Sequence, residues 1–313
     1  MPATAANRAA AAPPEALRRI GAFMRGFSIE ATRLDGGDLV ALKSNLPAQT
    51  PVYLTAVPGR LHSDLIDPAA RLRALGFEPV PHLAARRLAS RQALDDLLSR
   101  MAEAGVRRIL AIAGDQERVE GPFSAAIDVI ESGLLQRHGI AEVGVAGYPQ
   151  GHPQGHPRLT EETLARALAA KIEAAEQTGL RVHIVTQFAF EAAPILGWLR
   201  RLRALGIEHP VRVGMAGPAS LSNLLRFAKR CGVRATAQGL TRHAGLVKHL
   251  VGRAAPDGII RPLAEACADG ALGRIEPHFY SFGGAAATAR WAAATAAGRI
   301  VLDRSDGFGV EPL

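Results

Sequence analysis

The stretch EVGVAGYP, residues 142–149, is an apolar run that glycine, tyrosine and proline bring to a sudden end. A run in which apolar residues do not alternate with polar ones is typical of a parallel strand covered on both faces. Seven other short apolar runs recur along the chain, most of them followed by a turn and a helix-period segment. They are GFSIEA (26–31), VYLTAV (52–57), PVPHLA (79–84), RRILAIAGD (107–115), VHIVTQFAF (182–190), VRVGMAG (211–217) and PHFYSF (277–282).

Two of the intervening segments show the spacing of an amphipathic helix. Apolar residues recur every three or four positions in residues 91–103 and again in 160–178. Thr160 has the side chain of an N-cap, and Gly179 stands where the second helix would end. Eight strands separated by helices predict a (β/α)8 TIM barrel. The alternative is an open doubly wound sheet, but the Gly-x-Gly-x-x-Gly turn that would favour it does not follow an early strand.

The composition of the 313-residue chain excludes several classes of protein. It carries a formal charge of +8 with 48% hydrophobic and 21% charged residues, as in an ordinary globular protein. The arginines are spread over many segments and form no basic tail or aromatic-interleaved stripe, which argues against a nucleic-acid partner. Cys231 and Cys267 are too few for a disulfide framework, so we expect a reducing, cytoplasmic setting.

The chain termini complete this outline. The N-terminus has an alanine run but no leucine-rich signal core, and no stretch is long and apolar enough to span a bilayer, so no membrane partner is expected. We predict a disordered lead-in over residues 1–13 and one barrel domain over residues 14–313.

Polar side chains stand at the carboxyl ends of most of the predicted strands. In a barrel these ends converge on one mouth, which is where such folds place their chemistry. Two carboxylates, a hydroxyl, an imidazole, two phenols and an amide at these positions therefore predict a functional site. The residues are Glu30, Thr55, His82, Asp115, Tyr148, Gln187 and Tyr280.

A metal site is the other reading of the PQGHPQGHP segment that follows Gly147. His152 and His156 are four residues apart, but Pro153 and Pro157 make a helical pair of ligands unlikely to form. No nearby carboxylate or cysteine completes a ligand set. We therefore predict no metal site.

Taken in order, these segments resemble the methylenetetrahydrofolate reductases, a family of flavin-dependent (β/α)8 barrels. The resemblance runs from about residue 20 to about residue 300, and its most specific part is GVAGYPQGHP followed by TQFAF. FSIEA, PHL, ILAIAGD and PHFYSF add to it. The resemblance implies that NAD(P)H reduces FAD, and that the flavin passes a hydride to 5,10-methylenetetrahydrofolate to give 5-methyltetrahydrofolate.

The resemblance also implies roles for particular residues. Glu30 matches the acid that protonates N10 when the folate ring opens, and burial at the mouth would raise the pKa of its carboxyl. Asp115 matches an aspartate near the flavin and the pterin, and Gln187 matches a glutamine that faces the pterin. Two further candidate substrate contacts are Tyr280 and Leu221, the latter aligned with a stacking phenylalanine of the family. The implied FAD contacts are Thr55, His82, Gly114, Asp115, Tyr148, His152 and Lys171.

Several departures from the family pattern fall on its cofactor contacts. Ala113 stands where the family has an arginine, and Ala167 and Ala170 replace an asparagine and an arginine. Because a charge-assisted contact contributes about 1.5–3 kcal/mol, we predict that FAD is weakly bound or absent.

Other questions stay open at this point. The alternative function is a non-catalytic folate- or flavin-binding paralogue that acts as a sensor or as a subunit of a methyl-transfer complex. NADH or NADPH as donor, a reductive or an oxidative direction serving demethylation, and a homo-oligomeric state are all compatible with the sequence.

Overall fold

Eight parallel strands close into a barrel in which neighbours in sequence are neighbours in space. A computed structural model describes residues 14–152, 159–231, 254–303 and 307–311. The predicted lead-in and the second PQGHP copy, with His156, lie outside these residues. The barrel strands are β1 Ser28–Ala31, β2 Pro51–Leu54, β3 Glu78–Ala84, β4 Arg108–Ile112, β5 Glu142–Gly147, β6 Arg181–Thr186, β7 Val211–Ala216 and β8 Ile275–Tyr280.

Helices alternate with the strands and form the outer layer of the molecule. Their apolar faces and the outward faces of the strands make one large core. None of the described helices is long and apolar enough to cross a membrane. They are α1 Glu15–Met24, α2 Gly36–Asn45, α3 Ile66–Ala74, α4 Arg91–Glu103, α5 Ala126–Ile130, α6 Leu134–Arg137, α7 Glu161–Gln177, α8 Ala192–Ala204, α9 Leu221–Arg230, α10 Asp257–Ala266 and α11 Ala285–Ala296.

The predicted TIM barrel is confirmed, but several strands end earlier than their apolar runs. The sixth run continues to Phe190, whereas β6 ends at Thr186. The pairing of β5 with β6 stops at Gly147 and Thr186, since the chain turns away at Tyr148. The Gln187 N–H still donates to the Gly147 carbonyl just beyond the paired strands. The parts of the apolar runs that extend beyond the strand ends include side chains of the site.

The two helices predicted from periodicity are both present. Helix α4 occupies residues 91–103, and α7 begins directly after Thr160, whose hydroxyl accepts a hydrogen bond from the Thr163 N–H at 3.2 Å. Gly179 has a φ of +76°, a left-handed conformation that glycine adopts without strain at the end of a helix.

Outside the barrel, β9 (Ile300–Leu302) and β10 (Phe308–Val310) form an antiparallel pair that the sequence had not suggested. Phe308 is buried, and its ring stacks on that of Trp291 in α11, with centroids 6.1 Å apart.

A buried ion pair ties together the strands at the closing seam of the barrel. An Arg212 guanidinium nitrogen in β7 lies 2.9 Å from a carboxylate oxygen of Glu276 in β8, and both residues are buried. The same guanidinium donates to the Gly26 carbonyl just before β1 at 3.1 Å. Arg212 therefore joins β7, β8 and the entry to β1.

We expect Arg212→Ala to lower the free energy of unfolding by about 3–5 kcal/mol, because it leaves the buried Glu276 carboxylate without its buried partner. Arg274 also contacts Glu276, but its side chain is 68% exposed. The control Arg274→Ala should therefore cost less than about 1 kcal/mol. Urea unfolding of both variants measures the difference, and equal losses would contradict this account of the seam.

Candidate functional site

The buried carboxylate of Glu30 is the centre of the barrel mouth. It lies near the end of β1 and is 8% exposed. One carboxylate oxygen accepts a hydrogen bond from the Thr55 hydroxyl at 2.9 Å. The other oxygen lies 3.3 Å from Nε2 of His82 and 3.5 Å from Nε2 of His278. The segments of β2, β3 and β8 thus bring a hydroxyl and two imidazoles to one acid in β1.

The three facing atoms of this group are buried without a hydrogen bond in good geometry among the described residues. They are the second carboxylate oxygen of Glu30 and the Nε2 atoms of His82 and His278. Buried polar atoms are nearly always satisfied, so three convergent exceptions mark a place where a ligand or water completes the bonding.

The expected rise in the pKa of the Glu30 carboxyl is wrong. Burial alone would raise this pKa, but the attraction of His82 and His278 outweighs burial and holds it below its usual range. The position of Glu30 at a strand end indicated its burial but not its contact with two imidazoles, and His278 was not among the candidate residues. The carboxyl is therefore ionised near neutral pH.

Ser28 orients the ring of His278 from behind. Its hydroxyl lies 2.9 Å from Nδ1 of His278 and 3.4 Å from the Pro277 carbonyl oxygen. If the hydroxyl donates to Nδ1, the ring carries its proton on Nε2, which then points towards Glu30 and accounts for the attraction between the two groups. Sequence reasoning missed both residues. The alternation of side chains along a strand could have identified them. It places His278 on the same face of its strand as Tyr280, and Ser28 on the same face as Glu30.

A second group of predicted residues meets on the β4–β5 side of the mouth. The rings of Tyr148 and His152 lie 4.8 Å apart between centroids. Burial and, to a smaller degree, the Asp115 carboxylate raise the pKa of Tyr148 to about 12. Burial lowers the pKa of His152, against the opposing effect of Asp115. The structure therefore brings Asp115, Tyr148 and His152 together, as predicted.

Lys171 of α7 belongs to this second group. It is near enough to His152 to lower that imidazole's pKa further, and burial lowers the pKa of its own ammonium to about 8. No carboxylate within the described part of the chain lies within ion-pair distance of it. A half-buried cation of this kind favours an anionic ligand.

Backbone conformation and hydrogen bonding account for Gly114 and Arg86 in the loops around Asp115. Gly114 has a φ of +95°, and a Cβ on it would lie 3.2 Å from that of Ala84, so a side chain would be both strained and crowded. The guanidinium of Arg86 donates to the carbonyls of Gln116 and Ser124. It thus holds the loop after β4.

Aromatic rings cover the β6–β8 side of the mouth. The Tyr280 hydroxyl donates to the Thr186 carbonyl at 3.0 Å, and its ring stacks on Phe282 with centroids 5.7 Å apart. Phe282 in turn stacks on Phe227 of α9 at 4.1 Å. The sequence had indicated only Tyr280 of these three, because Phe227 lies in a helix whose docking no strand pattern predicts.

The other two predicted substrate contacts lie along this side. The side-chain carbonyl of Gln187 accepts a hydrogen bond from the Phe188 N–H at 3.0 Å. Leu221, the first residue of α9, is 44% exposed. Within the described residues no three histidine, cysteine, aspartate or glutamate side chains are placed to hold a metal ion.

Comparison with known proteins identifies the family. The model of the methylenetetrahydrofolate reductase family matches residues 62–248, more than half of the chain. The chain belongs to the methylenetetrahydrofolate reductase family. Glu30, Thr55, His278 and Tyr280 lie outside the matched residues.

The relatives of this reductase-family member are distant, and each is matched over half of its length or less. It is 28% identical to methylenetetrahydrofolate reductase 2 of Saccharomyces cerevisiae over 60% of the chain and 31% of the relative. It is 29% identical to the 5,10-methylenetetrahydrofolate reductase of Pectobacterium carotovorum over 51% of the chain and 50% of the relative. The chain therefore spans between a third and a half of the length of these relatives.

A solved structure shares the fold at low sequence identity. It is a protein from Clostridium thermocellum described as binding two copies of 5-methyl-5,6,7,8-tetrahydrofolic acid, with a TM-score of 0.54 and 11% identity. The likeness covers 89% of this chain and 96% of the other.

His62 fixes the end of β3 in this reductase-family barrel. Its Nε2 accepts a hydrogen bond from the Ala84 N–H at 3.0 Å, which requires the neutral imidazole. Burial and then the positive charge of Arg87 lower the pKa of His62 to about 4. Since β3 also carries His82, the neutral state of His62 supports the geometry around Glu30.

We expect the free energy of unfolding to fall as the pH drops from about 6.5 towards 4, by about 1.4 kcal/mol per pH unit for this group. The unfolded chain binds a proton on His62 over this interval and the folded chain does not, so the stability is complete above pH 6.5. His62→Gln should flatten the dependence on pH. Denaturant titrations at several pH values test this, and parallel curves for the two proteins would refute it.

Proposed function

We propose that this protein is an oxidoreductase that transfers a hydride between NAD(P)H, by way of FAD, and the one-carbon unit of a tetrahydrofolate. The product in the reductive direction is 5-methyltetrahydrofolate. The observation that carries the proposal is the buried Glu30 carboxylate with His82 and His278 against one of its oxygens. The family membership supports the choice of a folate as substrate.

The difficult step of this reaction is the opening of the folate's five-membered ring. The bond between N10 and the bridging carbon breaks, N10 takes up a proton, and the carbon remains on N5 as an iminium cation. A hydride then converts that carbon to a methyl group. The protein must therefore supply one proton at N10 and stabilise one positive charge.

Glu30 and its imidazoles suit the proton transfer. The carboxyl is ionised near neutral pH, so it must take up a proton before it can pass one to N10. Thr55 fixes the first oxygen of Glu30 by its hydroxyl, which leaves the second oxygen as the point of exchange. After the transfer the carboxylate is again negative, which stabilises the iminium cation.

Other predicted contacts suit a flat, polar ring. The Gln187 side chain has amide donors and an acceptor for the pterin edge. The rings of Tyr280, Phe282 and Phe227 supply an apolar side to the mouth. Asp115 places a further carboxylate near the reacting end, where it favours the cation.

The residues of the β4–β5 side fit FAD, with fewer cationic contacts than the family usually has. Lys171 is half-buried and near His152, so it suits a phosphate, and Tyr148 and His152 present rings to the same region. Bound FAD would accept a hydride from NAD(P)H and deliver it to the folate carbon. Exposed Ala167 and Ala170 offer no charge, and we propose weak binding of FAD for this reason.

Glu30→Gln tests the acid role. We expect it to abolish methylenetetrahydrofolate reduction, because a glutamine cannot give a proton to N10. Any NADH–menadione activity, which needs no acid, should survive. Stopped-flow and steady-state assays with both acceptors measure the two activities, and loss of both would contradict the acid role.

Calorimetry with 5-methyltetrahydrofolate adds the control for the alternative function. The wild-type protein is also assayed for turnover with an electron donor and with an electron acceptor. If it binds the folate but turns over with neither, the result favours a non-catalytic binding paralogue. Turnover in either direction supports the enzyme.

Lys171→Ala tests the cofactor contact. We expect it to weaken FAD binding by roughly ten- to a hundredfold, since one charge-assisted contact is worth about 1.5–3 kcal/mol. Fluorescence titration of the apoprotein with FAD measures the affinity. Lys43→Ala is the matched control, because Lys43 lies in α2 and its ammonium contacts the Leu75 carbonyl. An unchanged affinity for Lys171→Ala would remove this lysine from the FAD site.

A further inference from the structure

Barrel interiors are mostly filled by branched aliphatic side chains. Below the mouth of this barrel, buried polar side chains lie beside the apolar residues Val80, Leu110 and Val185. Three residues from three strands form a continuous chain of contacts there. The Tyr53 hydroxyl lies 2.7 Å from Nε2 of His183, and Nδ1 of His183 lies 2.8 Å from a carboxylate oxygen of Glu142. Tyr53 and His183 are almost fully buried, so this arrangement has a substantial desolvation cost.

The position of the proton on His183 follows from the charge of Glu142, whose carboxylate lies 2.8 Å from Nδ1 as an ion-pair contact and not as a well-aligned hydrogen bond. Burial would raise the pKa of its carboxyl, but His183, Arg108 and Arg181 together hold it at about 2. An ionised carboxylate only accepts, so Nδ1 of His183 carries the proton and Nε2 is the acceptor. The Tyr53 hydroxyl must then donate to His183, which fixes the plane of the phenol ring.

At the Tyr53 end, this chain of contacts reaches the two imidazoles beside the proposed acid. The Tyr53 ring lies edge-on to the His278 ring with centroids 4.6 Å apart, and to the His82 ring at 6.3 Å. These are the two imidazoles whose Nε2 atoms face Glu30. Arg108, Arg212 and Glu276 are the other charged groups that act on Tyr53 from the surrounding strands.

A glycine makes room for the arrangement. Gly144 lies in β5 beside His183, and a Cβ at this position would lie 2.7 Å from Nε2 of His183 and 3.0 Å from Leu110. Any side chain there would displace the imidazole from the Tyr53 hydroxyl. Its backbone is not in the left-handed region, so the close approach is the reason for glycine.

We propose that Glu142, His183 and Tyr53 are positioning residues that hold the imidazoles of His82 and His278 against Glu30. The inference rests on the proposed role of Glu30 as the acid. It makes the geometry of the proton donor depend on residues that extend down to the first position of β5, at the opposite end of the barrel from the mouth.

Tyr53→Phe is the first test, because it keeps the ring and removes only the donor to His183. We expect kcat for methylenetetrahydrofolate reduction to fall roughly 10- to 100-fold, as for a misplaced catalytic group. KM for the folate and the affinity for FAD should not change, because Tyr53 lies below both proposed binding regions. In 15N spectra of histidine-labelled protein, the ring signals of His278 should move as well as those of His183.

Val52→Ala is the matched control. Val52 precedes Tyr53 in β2 and is buried in the outer core, so its truncation destabilises the fold without touching the interior chain. It should leave kcat and the His278 signals unchanged. If Val52→Ala lowers kcat as much as Tyr53→Phe does, a general loss of stability accounts for the effect and the proposal is overturned.

His183→Gln and its combination with Tyr53→Phe complete the test. Residues that act as one unit give non-additive losses, so the double variant should be no slower than the worse single variant. Multiplying losses would overturn the proposal. If these variants fail to fold, Glu142→Gln at the barrel end provides the test, with a smaller fall in kcat and a shifted His183 signal expected.

The Glu30→Gln result separates the two levels of inference. If Glu30→Gln is inactive and Tyr53→Phe is as fast as the wild type, the acid role stands and the positioning network is wrong. If Glu30→Gln keeps full reductase activity, the proposed acid role itself fails.

Discussion

A carboxylate enclosed in a closed barrel must be compensated by nearby groups, and the interior of this protein is arranged around that requirement for Glu30. Desolvation alone would favour the protonated, uncharged form of the acid. Thr55 satisfies one oxygen, and His82 and His278 face the other closely enough to keep the group ionised. Because these partners come from β2, β3 and β8, the compensation exists only when the barrel is closed. The fold and the proposed chemistry therefore depend on the same contact.

The lower interior follows the same rule with different partners. Glu142 is held by Arg108, Arg181 and His183, and Glu276 by Arg212 and Arg274. Each acid is near at least two basic groups, which offsets the cost of taking it out of water. A charged lower layer of this kind would be a poor choice for stability alone, since aliphatic side chains fill such a space at lower cost. The layer becomes understandable if it orients the groups above it.

The sequence predicted the barrel well because strand burial leaves a direct signature. Apolar runs such as 182–190 and the cap at Thr160 depend on local chemistry; the cap is present, and the run contains a strand that ends at Thr186. The site was predicted less completely. Strand ends identified Glu30 and His82, but not that they contact each other, since facing strands are brought together by closure and not by spacing. His278 and Tyr53 were missed because a histidine or tyrosine inside an apolar strand reads as core. The predicted direction of the pKa shift of Glu30 was wrong for the same reason, because that direction depends on the neighbouring imidazoles.

The mouth is built from two sets of elements, and this division explains the pattern of departures in the sequence. The acid group draws on β1, β2, β3 and β8, whereas Asp115, Tyr148, His152 and Lys171 follow β4 and β5 or lie on α7. Ala167, Ala170 and Lys171 share one face of α7, because residues three and four positions apart are neighbours on a helix. A loss of charge on that face leaves the Glu30 contacts intact, since no residue of α7 takes part in them. Under the proposed function, the affinity for the cofactor can therefore change at Ala167 and Ala170 without altering the proton donor.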